Sequence, residues 1–317
     1  MKLFSLLAAL LLSGTVAAQG YPSRPVRIIV PFAPAGLGDV AARLVAQPLA
    51  EALKQPFLVE NRPGAGGVIG IEFVSKVAPD GYTLLMASNG EFTMSPHLYK
   101  LPYRTLEDFV AISILSETPS AVLTNAESPI TTFAQFIAAA KAKPGQIAYA
   151  SPGNGSTSHI TAEWLFVEAG IQLVHVAYKG GAPAAAAVAS GEVSAGMNAV
   201  SSIQPFVRSN KVRVLAVTSP KRLAFAPDWP TVSESGVPGF SSTVWSVLLA
   251  PAATPPAIVA KLSAEAARAV RTPEVRQRLA AIGSEAVGST ADEAAARLRQ
   301  DYARFATVIP QTKIRIE

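Results

Sequence analysis

Apolar residues in this chain fall into short runs of four to seven positions closed by Gly, Pro, Ser or Asn. Longer stretches between them repeat an apolar position every three or four residues. The short runs predict strands over residues 26–30, 57–60, 83–87, 111–115, 121–124, 147–151, 173–176, 195–198, 212–218 and 247–250. The longer stretches predict helices. Over 40–53, Val40, Leu44, Val45, Leu49 and Ala52 share one face. Thr132 with Gln135 and Thr290 with Glu293 are capping-box pairs, and Thr272-Pro273 is a cap followed by proline at the first helical position. The stretch from Pro255 to about Ile309 therefore reads as largely helical. Strand and helix alternate in the manner of a parallel α/β protein.

The N-terminus departs from this alternation. Lys2 precedes an apolar run over 3–12, followed by Ser13-Gly14-Thr15-Val16-Ala17-Ala18. This is the pattern of a secretory signal cleaved after Ala18, and the run is about half the roughly 20 residues needed to span a bilayer. The expected location is the periplasm. The chain has no cysteine, which removes disulfides, thiolate chemistry and a lipid-anchored N-terminal Cys together. Its 317 residues suffice for two domains. Hydrophobic residues at 50% against 15% charged predict a well-buried globule held by packing alone. The net charge is +5, or +4 once Lys2 is removed, and no Lys/Arg run is interleaved with aromatics, so nucleic acid is not an expected partner.

Candidate chemistry gathers where strands end. The first predicted strand runs into Pro31-Phe32-Ala33-Pro34-Ala35-Gly36-Leu37-Gly38-Asp39, and the second into Glu60-Asn61-Arg62-Pro63-Gly64-Ala65-Gly66-Gly67. Two more such loops lie mid-chain: Ser151-Pro152-Gly153-Asn154-Gly155-Ser156-Thr157-Ser158, then Tyr178-Lys179-Gly180-Gly181-Ala182-Pro183. Each glycine loop opens a helix, the geometry in which backbone N–H groups and the helix dipole hold an anion. Ser156, Thr157 and Ser158 can cap a helix or donate hydroxyl hydrogen bonds to a ligand. Two lobes facing each other across a cleft would bring the four loops together.

An ordered set of motifs spans essentially the whole mature chain. It comprises Val30-Pro31-Phe32-Ala33-Pro34-Ala35-Gly36, Glu60-Asn61-Arg62-Pro63-Gly64-Ala65-Gly66-Gly67, Ala78-Pro79-Asp80-Gly81-Tyr82-Thr83-Leu84 and Tyr149-Ala150-Ser151-Pro152-Gly153. It continues through Tyr178-Lys179-Gly180-Gly181, Leu215-Ala216-Val217-Thr218-Ser219, Pro230-Thr231-Val232, Glu234-Ser235-Gly236 and Leu249-Ala250-Pro251-Ala252. With these the chain resembles the substrate-binding receptors of tripartite tricarboxylate transporters, also called Bug proteins. The resemblance implies a two-lobed periplasmic binding protein of the Venus-flytrap type, with the chain crossing twice between lobes. The expected lobes are residues 19–124 with 230–317, and 125–229.

The resemblance also implies a non-enzymatic monomer without a cofactor, which captures a small carboxylate (a di- or tricarboxylate or an aromatic acid) and delivers it to integral membrane subunits. Carried over residue by residue, it points to Phe32, Ala35, Gly36, Asp39, Gly66 and Gly67 in one lobe. In the other it points to Ser151, Gly155, Ser156, Thr157, His159, Lys179, Gly180 and Gly181. Family members commonly show Pro-Gly-Gly followed by Thr-Asp or Ser-Asp where this chain has Pro34-Ala35-Gly36-Leu37-Gly38-Asp39, a more apolar loop that favours a less polar or aromatic acid. Where the family often shows Asp, Asn198 stands here, and its amide can donate to a carboxylate.

Rival readings rest on single motifs. Gly36-Leu37-Gly38-Asp39-Val40-Ala41 with Glu60 about 20 residues on fits a dinucleotide fingerprint and would make the chain an exported nicotinamide-dependent oxidoreductase. Pro31 and Pro34 lengthen and stiffen what should be a tight turn. Ser156 lacks a nucleophile-elbow context, and His97, His159 and His175 have no metal-ligand spacing. Asn154-Gly155-Ser156 matches a glycosylation sequon, which a glycine-rich ligand loop explains better. A receptor serving sensing rather than uptake is the remaining alternative.

Overall fold

The computed structural model describes residues 20–34, 36–312 and 314; the secretory signal expected over residues 1–18 lies outside them. Ten strands and nine helices of the α type form among these residues. In chain order they are β1 (Val26–Val30), α1 (Leu37–Leu53), β2 (Phe57–Asn61), α2 (Val68–Ser75), β3 (Thr83–Ser88), β4 (Phe109–Asn125) and α3 (Phe133–Ala142). Next come β5 (Ala148–Ser151), α4 (Thr157–Ala169), β6 (Val174–Ala177), α5 (Gly181–Ser190), β7 (Ala195–Ala199), α6 (Val200–Arg208) and β8 (Val212–Val217). The chain closes with β9 (Thr243–Pro251), α7 (Pro256–Val270), α8 (Pro273–Ala281), β10 (Glu285–Ala286) and α9 (Ala291–Val308). Thr132, Thr272 and Thr290 cap α3, α8 and α9 through their side chains, as their spacing predicts.

The strands run in the order β2-β1-β3-β9-β4-β7-β5-β6, with β10 and β8 also paired to β4. Parallel pairs are confined to β1 with β2 and β3, and to β5 with β6 and β7. Strand β9 is antiparallel to β3 and β4, and β4 is antiparallel to β7 and β8, so the sheet is mixed rather than wholly parallel. Among these antiparallel strands β4 carries the chain from one core to the other. Residues 109–119 of β4 pair with β9, and residues 120–125 with β7 and β8. Two expected strands, 111–115 and 121–124, are thus one strand of 17 residues. The polar stretch between them hides this continuity, yet Ser116, Thr118 and Ser120 are buried because the strand passes through the middle of the molecule.

Two sets of apolar clusters lie on either side of that passage. In the first, α1, α7 and α8 cover one sheet face through Ala42, Val45, Leu49, Leu262 and Leu279, while α2 and α9 cover the other through Ile71, Val74 and Leu298. In the second, α3 and α4 supply Phe133, Phe136, Leu165 and Phe166 to one face, and α5 and α6 supply Ala184, Val188 and Ile203 to the other. Val232, Val237 and Phe240 belong to this second set. The two chain crossings are tied side by side by Thr218. Its Oγ1 accepts from the Ser120 N–H at 2.9 Å and donates to the Ser242 carbonyl at 2.6 Å, and its backbone bonds both residues as well.

Candidate functional site

Because β1, β2 and β3 are parallel, and β5, β6 and β7 likewise, each set collects the loops that follow its strands at one end. A cavity of about 560 Å³ lies between the two collections. One wall is Phe32, Gly66, Val68 and the segment from Gly90 to Tyr103; the other is Pro152 to Thr157 with Ile160.

The loop after β1 is fixed from behind. Asn61, at the end of β2, donates through Nδ2 to the Phe32 carbonyl at 3.0 Å and to Asp39 Oδ1 at 2.9 Å, while Arg43 Nε holds Asp39 Oδ2 at 3.0 Å. Asp39 is 3% exposed and does not line the cavity; it anchors the loop that presents Phe32. Gly36 precedes α1 in extended backbone and is also off the cavity wall, and Ala35 lies outside the described residues. In the second loop Gly66 faces the cavity. Gly67 is buried behind it at φ +98°, where a Cβ would sit 3.2 Å from the Phe32 ring. Only glycine lets the chain pass that close in that conformation.

The opposite wall is organised by two histidines. Gly155 donates its N–H to His159 Nδ1 at 3.0 Å, and Ser156 Oγ accepts the His159 N–H at 3.3 Å as the N-cap of α4. His175 Nε2 lies 2.6 Å from Ser151 Oγ, which also accepts the Gly153 N–H. The two imidazoles stack on each other. Burial, with His175 alongside, depresses the His159 pKa to about 3, so the ring is neutral and its Nδ1 free to accept. Burial lowers His175 too. Ser151 and His159 therefore shape the loop from behind, while Gly155, Ser156 and Thr157 present its front. Thr157 and Ile160 of the first turn of α4 line the cavity, so the positive end of that helix dipole borders it.

The fourth loop sits further back. Gly180 donates its N–H to the Pro152 carbonyl at 2.8 Å, linking the two loops of this half. Lys179 is exposed, and Gly181 opens α5 so close to Ser202 that no Cβ fits between them. Asn198 is fully buried at the end of β7, and neither atom of its amide has a protein partner. None of these four residues lines the cavity.

The structure adds one wall that the sequence reading missed. The segment after β3 contributes Glu91, Met94, Ser95, Tyr99, Lys100, Leu101 and Tyr103. Its signal was present, because β3 ends in Ser88-Asn89-Gly90, another strand closing on a glycine. Glu91 accepts the Ser88 N–H at 2.7 Å, and burial nevertheless raises its pKa to about 7. Glu60, which a dinucleotide site would need for a ribose, is held by Arg62 at 2.6 Å and Arg27 at 3.5 Å.

Two α/β halves joined by paired crossings, with glycine loops and a helix N-terminus facing a shared cavity, define a two-lobed solute-binding protein. The sequence model of the tripartite tricarboxylate transporter family receptor matches residues 41–314, and the chain belongs to that family of periplasmic receptors. It is similar to Protein BugT of Bordetella pertussis, 34% identical over 311 residues that cover 96% of this chain and 94% of that protein. Among solved structures it is similar to Rpa4515 of R. palustris with adipate, at 30% identity and TM-score 0.81 over 92% of this chain and 98% of that one. It is also similar to MatC of Rhodopseudomonas palustris with bound malate, at 31% identity and TM-score 0.77 over 91% and 100%.

Proposed function

We propose that this chain is exported, captures a small carboxylate as a monomer by closing its lobes, and delivers it to the membrane subunits of a tripartite transporter. The observation that carries this reading is the cavity itself: glycine loops of both halves, the first turn of α4 and Lys100 all meet around one space of about 560 Å³. Phe32, Gly66, Gly155, Ser156 and Thr157 are the predicted contacts from the set named by sequence, with Asp39, Ser151 and His159 holding them in place. The lobes that move are residues 20–119 with 243–312, and 120–242. A second crossing near Ser242, beyond the expected boundary at 230, is supported by the packing of Val232, Val237 and Phe240 in one cluster with Phe133 and Leu165.

Adipate and malate in the related structures support a carboxylate as cargo. A charge-assisted hydrogen bond contributes roughly 1.5–3 kcal/mol, so about four suffice for the roughly 8 kcal/mol of micromolar binding. The test is a thermal-shift panel on residues 19–317 against aliphatic mono-, di- and tricarboxylates, aromatic acids, amino acids and nicotinamide cofactors. At 100 times its Kd a ligand adds about 2.7 kcal/mol, a shift of several degrees. The expected result is stabilisation by a class of acids; stabilisation by a nicotinamide cofactor alone would replace the receptor with an oxidoreductase.

A further inference from the structure

Glu91 is out of place in a cavity built for anions. It stands on the cavity wall, at the first turn after β3, with one carboxylate oxygen on the Ser88 N–H. Among the described residues it makes no ion pair. The other titratable groups on the wall are Tyr99, Lys100 and Tyr103, all from the same lobe; the facing loop from Pro152 to Thr157 brings none. Burial raises both tyrosines, so they stay neutral, and Glu91 and Glu72 both add to the shift of Tyr103. A ligand carboxylate next to ionised Glu91 meets like-charge repulsion in a partly dry site, whereas a donor group there meets a charged acceptor.

We propose that Glu91 selects the cargo, accepting a hydrogen bond from an ammonium or hydroxyl group on the acid, so that this receptor prefers amino or hydroxy acids to their unsubstituted counterparts. The inference rests on the receptor reading above and deepens it. In the bound state the ligand's carboxylate lies against the first turn of α4 and its donor group against Glu91. Each charge then meets its complement. The pKa of about 7 supplies an independent signature. A proton on Glu91 removes its charge and weakens it as an acceptor. Affinity for the preferred acid therefore rises with pH through about 7.

The test is calorimetric titration of residues 19–317 and of Glu91→Gln with matched acids: aspartate, malate and succinate; glutamate and glutarate; phenylalanine and 3-phenylpropionate. Gln keeps an acceptor for the Ser88 N–H, so the variant should fold. The expected result is a donor-bearing acid bound at least roughly tenfold tighter than its unsubstituted partner, as a hydrogen bond to a charged group supports. That preference collapses in Glu91→Gln, and in the natural chain affinity climbs between about pH 6 and pH 8. Equal or tighter binding of the unsubstituted acid, or affinity that falls as pH rises, would overturn the role of Glu91 and leave the receptor standing. Failure of every acid to bind would remove the receptor reading and this inference with it.

Discussion

The imidazoles of His159 and His175 lie face to face, 3.7 Å apart and 9° from parallel, in the floor beneath the loop that carries Ser156. Burial disfavours charge on both rings, and the loop depends on a neutral His159, since Gly155 bonds the lone pair of its Nδ1. The His159 pKa is about 3 in the fold against 6.5 for a free histidine, so the unfolded chain binds more protons between those values. The contribution of His159 to stability is thus complete above about pH 6.5 and is lost as pH falls toward 3. Melting temperatures across that window should decline more steeply for the natural chain than for His159→Gln, which keeps an acceptor but does not titrate. Parallel slopes would contradict the account.

Thr218 holds both chain crossings through one hydroxyl. Thr218→Val keeps the shape and strands the Ser120 N–H and the Ser242 carbonyl partner in a fully buried position. The expected loss is about 1–3 kcal/mol in urea unfolding. An unchanged midpoint would show that backbone pairing alone secures the crossings.

Gly90 and Thr157 mark where the lobes touch. A Cβ at Gly90 would lie 2.8 Å from Thr157 Oγ1, across the cleft rather than within one core. Gly90→Ala should leave the melting temperature of the free protein nearly unchanged and weaken binding of its acid by about tenfold or more, by wedging the lobes apart. Adding Thr157→Ala removes the opposing atom and should return part of the affinity. Titration of both variants decides it.

Gly67→Ala tests how Phe32 is placed. At φ +98° the new methyl is strained by about 1–2 kcal/mol and presses on the Phe32 ring. Urea unfolding should show that loss, together with weaker binding. Full stability would mean that the loop relaxes without the ring.

Much of this molecule was legible in its sequence, for identifiable reasons. Strands such as Val26–Val30 and caps such as Thr290 are local signals, settled by a few neighbouring side chains. The glycine loops were legible because a strand closing on glycine before a helix has one geometric meaning. Continuity of β4 was not, since Ser116, Thr118 and Ser120 look like a loop until tertiary contacts bury them. Glu91 escaped for a similar reason: a lone glutamate has no periodicity, and only the approach of the second lobe makes it part of a cavity. Asp39 and His159 were named as site residues, and the fold places them one layer behind the surface that a ligand would meet.

An acid bound against the α4 N-terminus would be displaced by one added charge there, Ser156→Asp. Asp caps a helix as well as Ser does, so the fold and melting temperature should hold. Its carboxylate, however, stands on the cavity wall where the ligand's must go. Calorimetric titration of natural chain and variant with the acid that gives the largest thermal shift should show at least a roughly tenfold loss of affinity in Ser156→Asp. Equal affinity in the two proteins would place the ligand away from the α4 N-terminus.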